Sequence, residues 1–312
     1  MTYRIGIDIG GTKIASGLVD ENYRIVLKKS IPTKSQRPYE EIIRDMIGMV
    51  EALIAESGVP KEAIAGIGIG CAGTPDKEKG TILFSNNLGW YDVPLGTRLS
   101  ETLHLPVSLD NDANAAALGE VLAGAAKGSK YALMITLGTG VGGGIILNGK
   151  VYDGVNHAGA EVGHTVIVSG GEPCTCGRKG CFEAYASTTA LIRMAAKAAK
   201  EHPESLLSHY LSENGSLNGL LIFEAVHRQD ETAQKVLADY LFYVGEGVVN
   251  LVNIFQPEMV VIGGGICAQG DLILEPIRRQ LSQDVFCKAV SVPKIVSATL
   301  GNDAGIIGAA YV

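Results

Sequence analysis

The chain has 312 residues, 40 of them glycine, and a formal net charge of −7; that glycine share is about twice the roughly 7 % of an average protein. A 46 % hydrophobic and 19 % charged composition describes a large core in one or two domains and excludes a chain disordered throughout. The negative charge argues against a general nucleic-acid binder and against adhesion to anionic membrane.

The opening MTYRIGIDIGGTK reads at once as strand and turn, without the basic start of a signal peptide. No apolar stretch reaches the roughly 18 residues that a membrane span needs, so no span is expected, and the expected setting is the cytoplasm. Residues 3–9, 14–19 and 23–29 read as strands, with Asp20-Glu21-Asn22 as a hairpin turn. Over 39–56, Ile42, Ile43, Met46, Ile47, Val50, Leu53 and Ile54 recur at the spacing of an amphipathic helix, which Gly58 ends. Then come a buried strand at 64–70, a turn at Thr74-Pro75-Asp76, and a short strand at 106–110. The latter runs into an alanine-rich helix starting at Asn111 or Asp112.

A second round begins with strands at 131–137 and 144–147. Helices are expected at about 187–201, 218–228 and 231–254, then a strand at 259–266 and a helix near 271–281. A strand near 293–299 and a helix in NDAGIIGAAYV close the chain. This alternation places the fold in the α/β class. Sliding the chain along itself until Ile7 meets Ile135 also lays Ile9 and Gly10 on Leu137 and Gly138, and Leu18 and Val19 on Ile146 and Leu147. The echo points to two halves built alike, each with a glycine hairpin, against the alternative of two unrelated glycine turns.

The glycines cluster after strands, in GIDIGGTK, LGTGVGGG and VIGGGI. The first is neither a Walker P-loop nor a G-x-G-x-x-G fingerprint. It offers the backbone amides of Gly10, Gly11 and Thr12, the Thr12 hydroxyl and the Lys13 cation, a set suited to phosphate. Upstream, Asp8 is placed to hold Mg²⁺ through water. Thr139 and Gly140 repeat this chemistry in the second cluster, and Gly263, Gly264 and Gly265 offer bare backbone on which an adenine can lie. Ordinary tight turns are the competing reading for each cluster alone.

His164, Cys174, Cys176 and Cys181 follow an H-x9-C-x-C-x4-C spacing, a Cys₃His set with the four ligands of a closed, structural zinc site. Cys71, Cys267 and Cys287 read as buried small apolar residues. Asp110-Asn111-Asp112 stands where a strand enters a helix. Asp112 there is either a general base or a simple helix cap. Glu161 and Glu183, which bracket the cysteines, are either acceptors for sugar hydroxyls or solvated loop charges.

Taken together, DIGGTK (8–13), NNLGW (86–90), NDANAAALGE (111–120), LGTGVGGG (137–144), EVGH (161–164), CTCGRKGCFE (174–183) and VIGGGI (261–266) resemble the ROK family of bacterial sugar kinases and sugar-responsive repressors. The likeness is strongest to the glucose-phosphorylating members. It implies an actin-like (ribonuclease H-like) ATPase fold, with two domains around a central cleft. One would cover 1–112 plus 301–312, the other 113–300 with the zinc knuckle. It implies ATP with Mg²⁺ and a hexose as ligands, structural Zn²⁺, and a homodimer or homotetramer. By the same resemblance Asp112 is the catalytic base. Asn87, Asn111, Glu161, His164 and Glu183 hold the sugar, and Thr12, Lys13, Thr139 and Gly140 lie in phosphate loops. The expected reaction is conversion of glucose to glucose 6-phosphate. Fructose, N-acetylmannosamine or allose are alternative substrates. A sugar-responsive regulator, disfavoured by the seven residues that precede Asp8, and a plain actin-like ATPase are alternative functions. Two departures stand out. CAGTPD (71–76) lacks the family's commoner Pro-Gly pair, and Ala160 replaces a frequent glycine, a change read as mild.

Overall fold

A computed structural model describes residues 1–312. Two compact units emerge: residues 1–134, 143–160 and 298–312 form one, and residues 135–142 and 161–297 the other. Residues 113–134 and 143–160 thus group with the first unit, outside the 1–112 and 301–312 ascribed to it from the resemblance.

In the first unit, β1 (Tyr3–Ile9), β2 (Lys13–Asp20) and β3 (Ile25–Pro32) form an antiparallel meander, followed by α1 (Tyr39–Ser57). Ile5, Ile7 and Ile9 of β1 and Ile14 and Leu18 of β2 are fully buried, and α1 lays Ile42, Met46, Val50 and Leu53 on the same core. Gly58 ends α1 in the left-handed conformation, φ 66°. The unit continues through β4 (Ile64–Cys71), β5 (Thr74–Asp76), β6 (Thr81–Ser85), β7 (Trp90–Val93), α2 (Leu95–Leu103), β8 (Val107–Asn111) and α3 (Asp112–Leu122). The sheet order is β3-β2-β1-β4-β8, with β4 parallel to both β1 and β8. Thr74–Asp76, expected as a turn, is instead an edge strand of the small sheet β5-β6-β7. Pro75 stands opposite Ile82 of β6 beside a register shift, an edge position of the kind that tolerates a residue without an N–H.

A second five-stranded sheet uses β9 (Ala132–Leu137), β10 (Val141–Leu147), β11 (Lys150–Val151), β12 (Met259–Gly263) and β13 (Lys294–Ser297), ordered β11-β10-β9-β12-β13. Counted along the chain, both sheets run third-second-first-fourth-fifth. The turn between β9 and β10 keeps the offset of the sequence echo at both ends: β1 ends at Ile9 and β9 at Leu137, and β2 starts at Lys13 and β10 at Val141. The internal echo is therefore a repeat of structure, and the architecture is the actin-like ATPase fold. In the second unit α4 (Glu183–Ala186), α5 (Thr188–Glu201), α6 (Leu206–Asn214), α7 (Gly219–His227), α8 (Glu231–Phe255) and α9 (Asp271–Asp284) pack together. The helix expected at 231–254 is α8, and it buries an apolar stripe that includes Val236, Leu237, Leu241, Val244, Val248, Leu251 and Val252. The strand expected at 259–266 stops at Gly263, and Gly265–Gln269 turns into a 3₁₀ helix. Among the cysteines expected in the core, Cys71 is buried, Cys267 is partly buried and Cys287 is exposed on the loop after α9. No helix is long and apolar enough to cross a membrane.

The last helix, α10 (Asp303–Ala309), explains part of the glycine excess. It lies on β1, β4 and α3 with backbone against backbone. A Cβ built on Gly6, Gly68, Gly119 or Gly308 would fall 1.8, 1.7, 2.2 or 1.6 Å from the carbonyl oxygen of Ile306, Ala309, Ala304 or Ala115, respectively. Gly308→Ala is therefore expected to cost about 3 kcal/mol, at the upper end for an overpacked core. Urea unfolding checks this, and a loss below about 0.5 kcal/mol, the scale of a surface change, would contradict it.

Candidate active site

The parallel register of β1, β4 and β8 sets Asp8 opposite Gly70, and Gly70 opposite Asp110. Asp8 and the Asp110–Asp112 segment therefore reach the same end of the sheet, where ligands bind in open α/β sheets. Asn111 caps α3: its Oδ1 accepts from the amides of Ala113 (2.9 Å) and Asn114 (3.3 Å), and its Nδ2 donates to the Gly73 carbonyl (3.2 Å). The capping role considered for Asp112 thus belongs to Asn111. Asp112 is the first helical residue, half-buried, its Oδ1 3.0 Å from the Ala113 amide. Burial pushes its carboxyl above the ordinary range, against that hydrogen bond. Burial and the Asp112 charge raise Asp8 to about 7, with Lys13 pulling the other way.

Two partly desolvated carboxylates close enough to perturb one another form a place that favours a cation. The sign of the linkage follows. Asp8 keeps its proton in the folded state up to about pH 7, whereas in the unfolded chain it ionises near 3.9. Stability from this group is present at low pH and is lost as pH rises through that window. Asp8→Asn is expected to raise the melting temperature at pH 8 without divalent cations, while turnover falls. A lower melting temperature in that variant would contradict the reading of Asp8.

The turn after β1 is tied down by Gly10 N donating to the Lys13 carbonyl (3.0 Å), Thr33 N to Thr12 O (3.0 Å) and Thr33 Oγ1 to Gly10 O (2.7 Å). The Thr12 and Lys13 side chains are exposed. Asn87 lies beside this turn, its Cβ 3.8 Å from where a Cβ on Gly11 would be. The first unit therefore groups Asn87 with Gly10 and Gly11, and Asp8 with Asn111 and Asp112.

In the second unit the 138–140 turn has its own support. Gly138 N donates to Gly140 O (3.0 Å), Thr188 N to Gly138 O (2.7 Å) and Thr189 Oγ1 to Thr139 O (2.7 Å), leaving the Thr139 side chain exposed. Of the third glycine cluster, Gly263 is buried in β12. Gly264 has φ 102°, and a Cβ there would lie 2.1 Å from the Leu137 carbonyl oxygen. Gly265 faces open space. Gly144, the last glycine of the second cluster, admits α3 and not a ligand: a Cβ there would lie 2.4 Å from that of Ala117.

His164, at the end of a 3₁₀ turn (Val162–His164) that begins just after the exposed Glu161, meets the cysteine loop. One ligand atom from each of His164, Cys174, Cys176 and Cys181 lies within 4.8 Å of all the others. His164 Nδ1 is 3.6 Å from Cys174 Sγ, and Cys176 Sγ is 3.7 Å from Cys181 Sγ. Zn–S bonds of about 2.3 Å and a Zn–N bond of about 2.05 Å at tetrahedral angles place N···S at about 3.6 Å and S···S at about 3.8 Å. The residues present therefore fit a four-coordinate zinc. The Nδ1 side of the His164 ring faces the sulfurs.

Glu183, at the start of α4, joins this knuckle to the 138–140 turn. Its Oε2 accepts from Val141 N (3.0 Å) and its Oε1 from Thr175 Oγ1 (3.0 Å), with Cys174 Sγ at 3.6 Å. A Cβ on Gly140 would fall 2.4 Å from Glu183 Oε2, so this glycine makes room for the carboxylate. Ala160 has φ 66°. A left-handed L-residue costs roughly 1–2 kcal/mol, so the loss of the family's glycine is not mild. Sequence reasoning missed Lys77, Asp153 and His157, which cluster with Asp110. No local pattern marks residues so far apart in the chain.

Comparison with known proteins gives a consistent picture. The ROK family model matches residues 4–312. A glucokinase of Halalkalibacterium halodurans is 40 % identical over 308 residues, 98 % of this chain and 93 % of the relative. The crystal structure of a ROK family glucokinase from Streptomyces griseus, in complex with glucose and AMPPNP, superposes with a TM-score of 0.82 at 37 % identity, covering 99 % of this chain and 98 % of that one. A xylose repressor of Bacillus subtilis is 31 % identical, covering 98 % of this chain and 75 % of the repressor.

Proposed function

Because the chain belongs to the ROK family, we propose that it is a hexokinase that transfers the γ-phosphoryl group of ATP to glucose, giving glucose 6-phosphate, with Asp112 as general base. The observation that carries this reading is Asp112 itself. It is half-buried on the first turn of α3, free of the capping duty, and at the same sheet end as Asp8.

In this reading the 6-hydroxyl of glucose lies within hydrogen-bond reach of the Asp112 carboxylate, about 3 Å. Its oxygen attacks the γ-phosphorus as the bond to the β–γ bridging oxygen breaks. ADP leaves and the hydroxyl proton passes to Asp112. In a loose transition state most of the catalysis is positioning and charge neutralisation. The Gly10 amide, expected to face phosphate, is instead spent closing the turn on the Lys13 carbonyl; backbone amides of Gly11, Thr12 and Gly140, the hydroxyls of Thr12 and Thr139, and the Lys13 cation hold the phosphates. Gly265 supplies the open backbone for the base. Asp8 is the residue that would hold Mg²⁺, through water. That ion neutralises phosphate charge when bound with ATP. Asn87, Asn111, Glu161, His164 and Glu183 hold the other sugar hydroxyls. Asn111 still has an Nδ2 proton to offer, and Glu183 still has lone pairs beyond those facing Val141 and Thr175. His164, Cys174, Cys176 and Cys181 would hold zinc in a structural role, since four protein ligands leave no open position for a reacting water. With Nδ1 facing the sulfurs, His164 keeps Nε2 for a hydroxyl.

A regulator without catalysis would have no use for Asp112 together with two phosphate-binding turns in one chain, and that combination favours the kinase. The test is ADP release with ATP and Mg²⁺ over glucose, fructose, N-acetylmannosamine and allose. Glucose is expected to give the highest kcat/KM. No release with any of the four, or a preference for another sugar, overturns the assignment.

A further inference from the structure

Lys77 has no part in the chemistry above, yet it joins two carboxylates from distant parts of the first unit. Its Nζ donates to Asp110 Oδ2 at 2.5 Å and to Asp153 Oδ2 at 2.6 Å. His157 Nδ1 lies 2.7 Å from the same Asp153 oxygen. Asp110 is only 2 % exposed. Its other oxygen accepts from the Asn111 amide (2.8 Å) and from Asn114 Nδ2 (3.0 Å). Asn111 is the cap of α3, and Asp112 follows it. A continuous run of polar contacts thus leads from His157 through Asp153, Lys77 and Asp110 to the helix start that carries Asp112. Burial pulls the Lys77 ammonium towards neutrality, but its two carboxylate partners outweigh this and keep it protonated.

A second observation concerns the far end of this run. Between Asp153 and Ala160 two non-glycine residues are left-handed, His157 (φ 59°) and Ala160 (φ 66°). The segment folds back on itself, Gly159 N donating to the Asp153 carbonyl at 2.7 Å. Such conformations persist only where surrounding contacts over-determine them, and they gather at functional sites. The Lys77 and His157 bonds hold Asp153, the residue whose carbonyl receives the Gly159 amide and so anchors this segment. The residue after Ala160 is Glu161, one of the proposed sugar ligands.

We propose that Lys77, Asp153 and His157 form a latch that positions Asp112, by pinning the strained 153–160 segment to the buried Asp110 that braces the start of α3. One cation holding two carboxylates is what lets a loop far along the chain from Lys77 bear on the cap. Lys77, Asp153 and His157 are positioning residues. They touch neither substrate in the proposed mechanism.

The latch rests on the kinase reading for its effect on turnover, so the experiment has two arms. The first measures kcat for glucose phosphorylation and glucose Kd by calorimetry in the wild type, Asp153→Asn, Lys77→Met and Lys77→Arg. Asp153→Asn leaves the Lys77–Asp110 pair intact and is the variant least prone to misfold. It is expected to lower kcat by about tenfold, since small displacements of a catalytic group cost up to 10²-fold, with glucose Kd changed by less than about twofold, as a transition-state effect requires. Lys77→Met is expected to lose more, and Lys77→Arg to recover most of kcat. The second arm reads hydrogen exchange at the Gly159 amide, which needs no substrate. Faster exchange by about tenfold or more is expected in Asp153→Asn, the mark of local opening well below global unfolding. A wild type that does not phosphorylate glucose sinks the kinase reading and leaves the exchange arm to decide the latch. An active wild type with unchanged kcat in Asp153→Asn and Lys77→Met, or unchanged Gly159 exchange, overturns the latch.

Discussion

Replacing Asp112 with alanine is expected to lower kcat by about 10²–10⁴-fold, the usual yield of a positioned general base, while glucose still binds. The expectation follows from the local structure. Asp112 does not cap α3, because Asn111 supplies that bond to the amides of Ala113 and Asn114. Removing the Asp112 carboxylate takes away its own 3.0 Å contact with the Ala113 amide, but Asn111 still accepts from that amide and from Asn114, so the helix start keeps its cap and the variant is expected to fold. The replacement also removes the charge that, after burial, raises Asp8, so Asp8 in Asp112→Ala is expected to ionise at lower pH than in the wild type. Asp112→Asn separates charge from shape. It keeps the size of the side chain, loses the base, and is expected to fall as far as alanine. Calorimetry with glucose and a steady-state assay on the same preparations check both statements. Retained turnover in either variant, or loss of folding in the asparagine variant, contradicts the assignment.

Cys176→Ser is expected to lose metal, stability and sugar affinity together. The four donors are spaced as a tetrahedral zinc requires, with Cys181 buried and Cys176 at the exposed side. Serine is a poor zinc ligand, and metal affinity in such a site is folding free energy. Two further residues depend on the knuckle. His164 gains its ring orientation from it. Glu183 links Cys174 and Thr175 to the Val141 amide, so disorder in the cysteine loop is transmitted to the 138–140 turn. Loss of the order around a metal's ligands typically costs about 10–100-fold, so the glucose KM is expected to rise by about tenfold or more. A loss of a few kcal/mol corresponds to a fall in melting temperature of several degrees, on the order of 5–10 °C for domains of this size. Zinc content by emission spectroscopy, a melting curve and the glucose KM of one sample test this. Full zinc content, or a normal melting curve and KM after its loss, contradicts it.

Much of this was legible because the informative patterns are local. The two glycine hairpins repeat at one constant offset with matching turn boundaries, and the periodicity of α1 and α8 needs no tertiary context to be recognised. The His164 and cysteine spacing carries its own geometry. Asp112 stood out by type and place, although the choice between base and cap needed the Asn111 hydrogen bonds. What stayed hidden depends on partners far along the chain. A glycine that admits a ligand and one that admits a helix look alike in sequence, and Gly68 and Gly308 declare themselves only against Ala309 and Ala115. The short helices α2 and α6, with mixed polar residues and only two turns each, lack enough apolar repeats to separate them from loops. The small strands β5 to β7 are fixed by one another. Ala160 looked harmless because a side-chain alphabet does not reveal a positive φ. The Lys77–Asp153 pair has no local signature.

The most direct measurement is phosphorus NMR of one time course with ATP, Mg²⁺ and glucose, run on the wild type and on Asp112→Asn. The account predicts glucose 6-phosphate and ADP appearing in equal amounts with the wild type, and neither with the variant. A wild type that yields no sugar phosphate, or a variant that yields it at the wild-type rate, contradicts it.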